Sequence, residues 1–188
     1  IWSFYIGGAI LLLSVLWTVF KTKEYAPKEH AEFNNIDLNA PEVKQKTNLI
    51  ELLKTAPKIF WQLGLVQFFS WFALFLMWVY TTRGIANQVW GNAAADPHSL
   101  AFNEAGDWTG VLFAFYSAVA AIFALSIPTI AKKIGRKKTY SYSLIFGGIG
   151  LISMYFFHDK YILFFSMIGI GMAWAAILAI PYAMLASS

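Results

Sequence analysis

The sequence predicts an all-α membrane protein, a polytopic bundle of transmembrane helices, and three observations carry that reading. The 188-residue chain is 59% hydrophobic and 13% charged, whereas soluble domains run at about 45–50% apolar and about 25% charged. Five segments are about as long as a bilayer core requires, and none contains Asp, Glu, Lys, Arg or His. The basic residues gather in two of the connections between those segments.

The segments are Ile1–Phe20, Ile59–Thr82, Trp108–Ala131, Thr139–Phe157 and Tyr161–Leu185. A helix of the length of 59–82 spans about 36 Å at about 1.5 Å per residue, enough to cross a core of about 30 Å with some tilt. Soluble amphipathic helices would show polar stripes, and these segments show almost none. The first segment has no basic leader and no cleavage signal, so it reads as a span rather than a signal peptide. The chain starts without Met and stops inside an apolar run, and is read as a piece of a longer polypeptide.

The connections differ in kind. Residues 21–58 are long and polar. Within them, PEVKQKTNLIELLKTA groups Leu49, Ile50, Leu52 and Leu53 among charges, which predicts a short helix on the membrane surface or a polar linker with one helical turn. Residues 83–107 are a Gly/Asn/Ala/Asp-rich loop. Residues 132–138 are a knot in which five of seven residues are basic. Residues 158–160, HDK, form a tight turn, so the fourth and fifth segments are expected to be antiparallel neighbours.

Charge fixes the orientation. Residues 21–58 hold seven Lys and the knot holds five Lys/Arg, so these two connections carry 12 of the 14 basic residues. An even number of spans separates them, which puts them on one side of the membrane. The other side has Arg83 and Lys160 against Asp96, Glu104, Asp107 and Asp159. The positive-inside rule then places 21–58 and 132–138 in the cytoplasm.

The same map disposes of other functions. A net charge of +4 would suit nucleic acid, but a short turn clamped between spans offers little surface, and anionic lipid headgroups lie nearer. One glycine, Gly135, does not make a phosphate loop. There are no cysteines, so disulfides, thiolate metal sites and thiol catalysis are excluded. His30, His98 and His158 stand alone in connections, and no cofactor or metal is expected. GGIG (147–150) and Gly169-Ile170-Gly171 lie inside apolar spans and read as close helix packing. So do the small-residue stripes Gly110/Ala114/Ala118 and Gly169/Ala173. A membrane-embedded enzyme would need a polar catalytic set in the spans, and no H-E-x-x-H, G-x-S-x-G or paired Asp is present.

Four stretches, FKTKEYAP (20–27), QFFSWFALFLMWVY (67–80), IAKKIGRKKTY (130–140) and GMAWAAILAIPYAMLASS (171–188), together resemble one known family. It is the sucrose–proton symporter branch of the glycoside–pentoside–hexuronide:cation symporters, within the major facilitator superfamily. The resemblance implies the sixth to tenth of twelve helices. Residues 1–20 would then end the N-terminal half, 21–58 would link the halves, and 59–188 would open the C-terminal half. It also implies a secondary active carrier of a small glycoside, such as sucrose or maltose, coupled to a proton or another cation and working by alternating access. A non-transporting sensor or scaffold on a carrier fold is the rival reading. The facilitator turn usually reads D-R-x-G-R-K. Here Lys132 stands at the acidic position, followed by Lys133, Ile134, Gly135, Arg136 and Lys137, so a charge relay that needs the Asp cannot operate in this turn. Gly135 and Arg136 suit a tight turn whose cation meets helix C-termini or lipid phosphate.

A sugar site in such a carrier needs hydrogen-bonding groups and flat aromatic faces near the bilayer midplane. Trp71 and Trp78 fall about 40° and about 20° from Gln67 around an ideal helix, so the three share a face. Gln67 is expected either to bind substrate or to clasp another helix. Trp71 is at mid-depth and is either platform or core filler, whereas Trp78 lies nearer the outer surface, where the aromatic belt competes. Trp174 is central in the fifth segment, and Tyr182 follows about 80° around. Pro181, inside the same run, should kink it or free a backbone carbonyl, as suits a gate. Tyr116 is the weaker candidate in the third segment. No carboxylate lies in the five segments, so a proton-coupling acid is expected elsewhere in the polypeptide. Compact connections and the absence of N-x-S/T sequons point to a bacterial inner membrane.

Overall fold

The structure, a computed structural model, describes residues 2–22 and 53–186. The chain divides into two units, Ile1–Asn48 and Leu49–Ser188. In the first unit, the described part is one helix, α1 (Trp2–Lys21). Its Thr18 hydroxyl donates to Ser14 O (3.0 Å), and the Lys21 ammonium sits 5.4 Å from the Trp17 ring centre. Most of the expected cytoplasmic connection, including the surface helix before Leu53, lies outside the described residues.

The second unit holds four long helices: α2 (Lys58–Ile85), α3 (Leu100–Ile134), α4 (Arg136–Phe156) and α5 (Leu163–Leu185). No strand occurs among the described residues. Among the described residues four helices are long and apolar enough to cross a membrane, namely α1, α2, α3 and α5. The sequence predicts five spans, and α4 is the one that falls short on apolarity. It opens with Arg136, Lys137 and Lys138 and continues through Thr139, Tyr140, Ser141 and Ser143. The hydroxyls of Thr139 and Ser143 donate to the carbonyls of Gly135 and Thr139, both at 2.9 Å, so these polar groups need no water.

The helices run beyond the expected segments. α3 begins eight residues before Trp108, because Ser99 caps it: the Ser99 Oγ accepts from the Phe102 N–H at 3.1 Å. The basic knot is almost wholly helical. Lys132 and Lys133 end α3, Arg136 begins α4, and Gly135 alone separates them at φ +90°. A side chain there would be strained, so the glycine is what permits the sharp turn. The Asp159 carboxylate accepts from the N–H groups of Tyr161 (2.8 Å) and Ile162 (3.2 Å) and closes the turn before α5.

α5 is the centre of the unit. It packs along both α3 and α4, and α2 meets α3 and α5. Lipid tails are as apolar as leucine, so helices in a bilayer associate by close packing rather than by expulsion of water. The glycines supply that closeness. A Cβ on Gly147 would collide with Ala173, one on Gly169 with the Phe146 carbonyl, and one on Gly150 would lie 2.5 Å from Ser166 O. Between α3 and α5, a Cβ on Gly171 would lie 2.6 Å from Tyr116 O. The Gly169/Ala173 stripe and GGIG thus sit where the sequence places close packing. Gly110, Ala114 and Ala118 do not: all three are exposed. α3 buries Leu112, Tyr116 and Ala120 instead, two positions and about 200° away around the helix; the small residue at that contact is Gly171 of α5.

Gly169→Ala and Gly150→Ala are each expected to push α4 from α5 and to cost about 1–3 kcal/mol as overpacking. Gly148→Ala, at a position with nothing within 4 Å, should be neutral or stabilising. Unfolding in mixed detergent micelles measures all three, and equal stability of the variants would refute the packing argument.

Candidate functional site

Pro181 has no N–H, so the carbonyl four residues earlier, Ile177 O, loses its helical donor. The Gln67 side chain replaces it: Nε2 donates to Ile177 O at 3.3 Å. The other end of the same amide is also engaged, with the Tyr140 hydroxyl donating to Gln67 Oε1 at 3.1 Å. One half-buried glutamine on α2 is therefore tied to α4 and α5 together. The carbonyl freed by Pro181 and the clasp by Gln67 are both on the page in the sequence. Tyr140 is not, because a tyrosine two residues after three cations reads as an interfacial residue. Each end of the amide can make two hydrogen bonds and uses one here.

Above this clasp lies an aromatic cluster. Trp174 of α5 meets Trp71 and Trp78 of α2 edge-to-face, with both ring-centre separations 5.6 Å, and the two α2 rings stand 6.4 Å apart. Trp78 Nε1 donates to the hydroxyl of buried Tyr116 on α3 at 3.1 Å. Trp71 is the fourteenth of 28 residues in α2, Trp174 the twelfth of 23 in α5, and Tyr116 the seventeenth of 35 in α3. The cluster is thus central along three helices. Its reach explains Trp78: seven residues past Trp71 it lies about 10 Å further along the axis, and its ring folds back toward the centre instead of standing in the outer belt.

Gln67, Trp71 and Trp78 lie along one shallow, open groove on the surface of α2, together with Gly64, Phe68, Phe72 and Phe75 of the same helix. Tyr182 is not brought to this group. It lies about 12 Å along α5 from Trp174 and is 62% exposed. At the start of α5, Trp108 packs against Tyr161 (5.3 Å) and Phe164 (5.7 Å), and its Nε1 donates to Lys160 O at 3.0 Å. At the opposite end of the bundle, Arg136 donates to Ala183 O (2.8 Å) at the close of α5, where a cation complements the helix dipole. Lys133 and Lys137 are exposed on either side of the turn. Among the described residues no group of His, Cys, Asp and Glu could hold a metal ion.

The cluster is central along its helices, the helices are long and apolar, and seven of the nine described basic residues of this unit lie at one end of the bundle. A family model, that of the Major Facilitator Superfamily, matches residues 1–188. The chain belongs to the Major Facilitator Superfamily. Neither the curated proteins nor the solved structures contain a match to it. It is accordingly an integral membrane protein of a transporter family.

Replacing Gln67 with Leu leaves Ile177 O without its donor and takes one acceptor from the Tyr140 hydroxyl, at an expected cost of about 1–2 kcal/mol. Pro181→Ala restores the helical donor to Ile177 O. Gln67→Leu should therefore cost less in a Pro181→Ala background, with coupling of about 0.5 kcal/mol or more in a double-mutant cycle. Strict additivity would show that Gln67 does not serve that carbonyl.

Proposed function

We propose that the protein is a secondary active carrier of a small glycoside, a disaccharide such as sucrose or maltose, coupled to a proton or another cation. The observation that carries this reading is the set of three tryptophans at mid-depth beside Gln67. Tryptophan faces suit the apolar side of a sugar ring, and amide and phenol groups suit its hydroxyls. Trp71, Trp78 and Trp174 form the platform, Tyr116 orients Trp78, and Gln67 offers the second hydrogen bond at each end of its amide. Tyr182 belongs to a later stretch of the same pathway, toward the cytoplasm.

Alternating access asks the helices to rock about such a site. Pro181 and the clasp beneath the cluster supply a place for α5 to bend, and Gly135 with Arg136, Lys133 and Lys137 holds the cytoplasmic turn in place. Residues 1–20 are the last helix of the first half, 21–58 the cytoplasmic link, and 59–188 the opening of the second half. The inner stretches of these helices have no acid, so the coupling carboxylate sits elsewhere in the polypeptide. The bilayer is a plasma membrane, that of a bacterial inner membrane in our reading.

The complete protein in proteoliposomes should accumulate labelled disaccharide, faster with an inward proton gradient. Trp174→Ala and Trp71→Ala should each weaken apparent affinity about five- to tenfold, matching about 1–1.4 kcal/mol for a ring contact, with Trp174→Phe retaining most of it. Wild-type vesicles that move no disaccharide would sink the reading, and unchanged kinetics in both Ala variants would move the site off the cluster.

A further inference from the structure

A cavity of about 490 Å³ opens among the last turns of α3, the first turn of α4 and the last turns of α5. Its walls are apolar: Ile127 and Pro128 of α3, and Ala179 and Ile180 of α5. Its rim carries two cations, Lys132 and Arg136. Lys133, Lys137 and Lys138 stand exposed on the same turn.

The charge there is one-sided. Among the described residues of this unit, the cytoplasmic end holds Lys54, Lys58, Lys132, Lys133, Arg136, Lys137 and Lys138, and no carboxylate. Asp96, Glu104, Asp107 and Asp159 all lie at the other end. Three of the cations occupy the first turn of α4, where the helix dipole disfavours positive charge. A bound anion at this turn would offset that charge.

We infer that this cavity is a binding site for one anionic phospholipid, its phosphate held between Lys132 and Arg136 and the upper part of an acyl chain lying against Ile127, Pro128, Ala179 and Ile180. The shape decides for a lipid over free phosphate. A bare anion would use the rim and leave the apolar walls wet, whereas a phospholipid matches both. Cations near the headgroup region contribute about fivefold each to attraction for an anionic lipid. Arg136 is anchored to the end of α5 through Ala183 O, so the bound headgroup would brace α3, α4 and α5 at one point.

The test is native mass spectrometry of the complete protein from micelles with equal phosphatidylglycerol and phosphatidylcholine. One phosphatidylglycerol should be retained in preference. Lys132→Gln should lower its retention about fivefold, and Lys132→Arg should restore it. Ala179→Leu, which fills the apolar wall and leaves every charge in place, should also lower it, whereas Lys160→Gln at the outer end should not. Displacement of the lipid by inorganic phosphate alone would overturn the assignment to a phospholipid. Equal retention of the two lipids, or indifference to both Lys132→Gln and Ala179→Leu, would overturn the site.

Discussion

Everything in the four-helix unit depends on how near α5 lies to its neighbours. A helix in lipid gains nothing from hiding apolar side chains, so it must gain by touching. α5 does so by giving up side chains. Gly169 admits the Phe146 carbonyl, Gly171 admits Tyr116 O, and on the facing helix Gly147 and Gly150 give room to Ala173 and Ser166 O. Dispersion falls off within an ångström of a gap, so this closeness is the attractive term itself. It also sets the register. Gly171 and Trp174 are one turn apart, so the contact that seats α3 on α5 also brings Tyr116 within reach of Trp78, and Trp78 within reach of Trp174.

The second constraint is polar. Proline in a membrane helix leaves a carbonyl that no water can satisfy, and in α5 a side chain from another helix satisfies it. The consequence is mechanical. A carbonyl served within its own helix stays served whatever the neighbours do. Ile177 O is served by Gln67, so its hydrogen bond depends on where α2 stands relative to α5. A movement between those helices must break or re-aim that bond, and with it the bond from Tyr140. The carbonyl freed by Pro181 and the α2–α5 separation are therefore coupled through one amide, directly below the aromatic cluster.

The helices and their alternation were legible because a bilayer imposes a length and forbids charge, two conditions readable residue by residue. Pro181 and Gln67 were legible as separate facts: one must free a carbonyl, the other must find a partner. That they meet was not, since 110 positions separate Gln67 from Ile177. α4 was read as a span equal to the others, yet its opening polar turns are held by hydroxyl-to-backbone bonds that hydropathy does not see. The stripe on α3 misled for a related reason. Small residues at a spacing of four mark a face able to pack closely, but which helix contributes the small side is a property of the pair. At the α3–α5 contact it is α5, whose Gly171 faces the bulky Tyr116 and Val119. Helical angles placed Trp71 and Trp78 on one face correctly, but angle alone said nothing about Trp174, and it set Tyr182 nearer to Trp174 than the rise along the helix allows.

Charge and aromatic geometry also divide the labour between the two ends of the bundle. At the end of the bundle that holds the α4–α5 turn, Lys160 lies over Trp108 and Tyr161 at 5.2 and 5.3 Å, and Asp159 and Glu104 accept from nearby N–H groups, so these three charges have local partners. At the other end Arg136 is anchored to the terminus of α5. An excess of Lys and Arg on one side is what orients a chain during insertion. The ends of α3, α4 and α5 at this turn are joined by Gly135 and by the bond from Arg136 to Ala183 O.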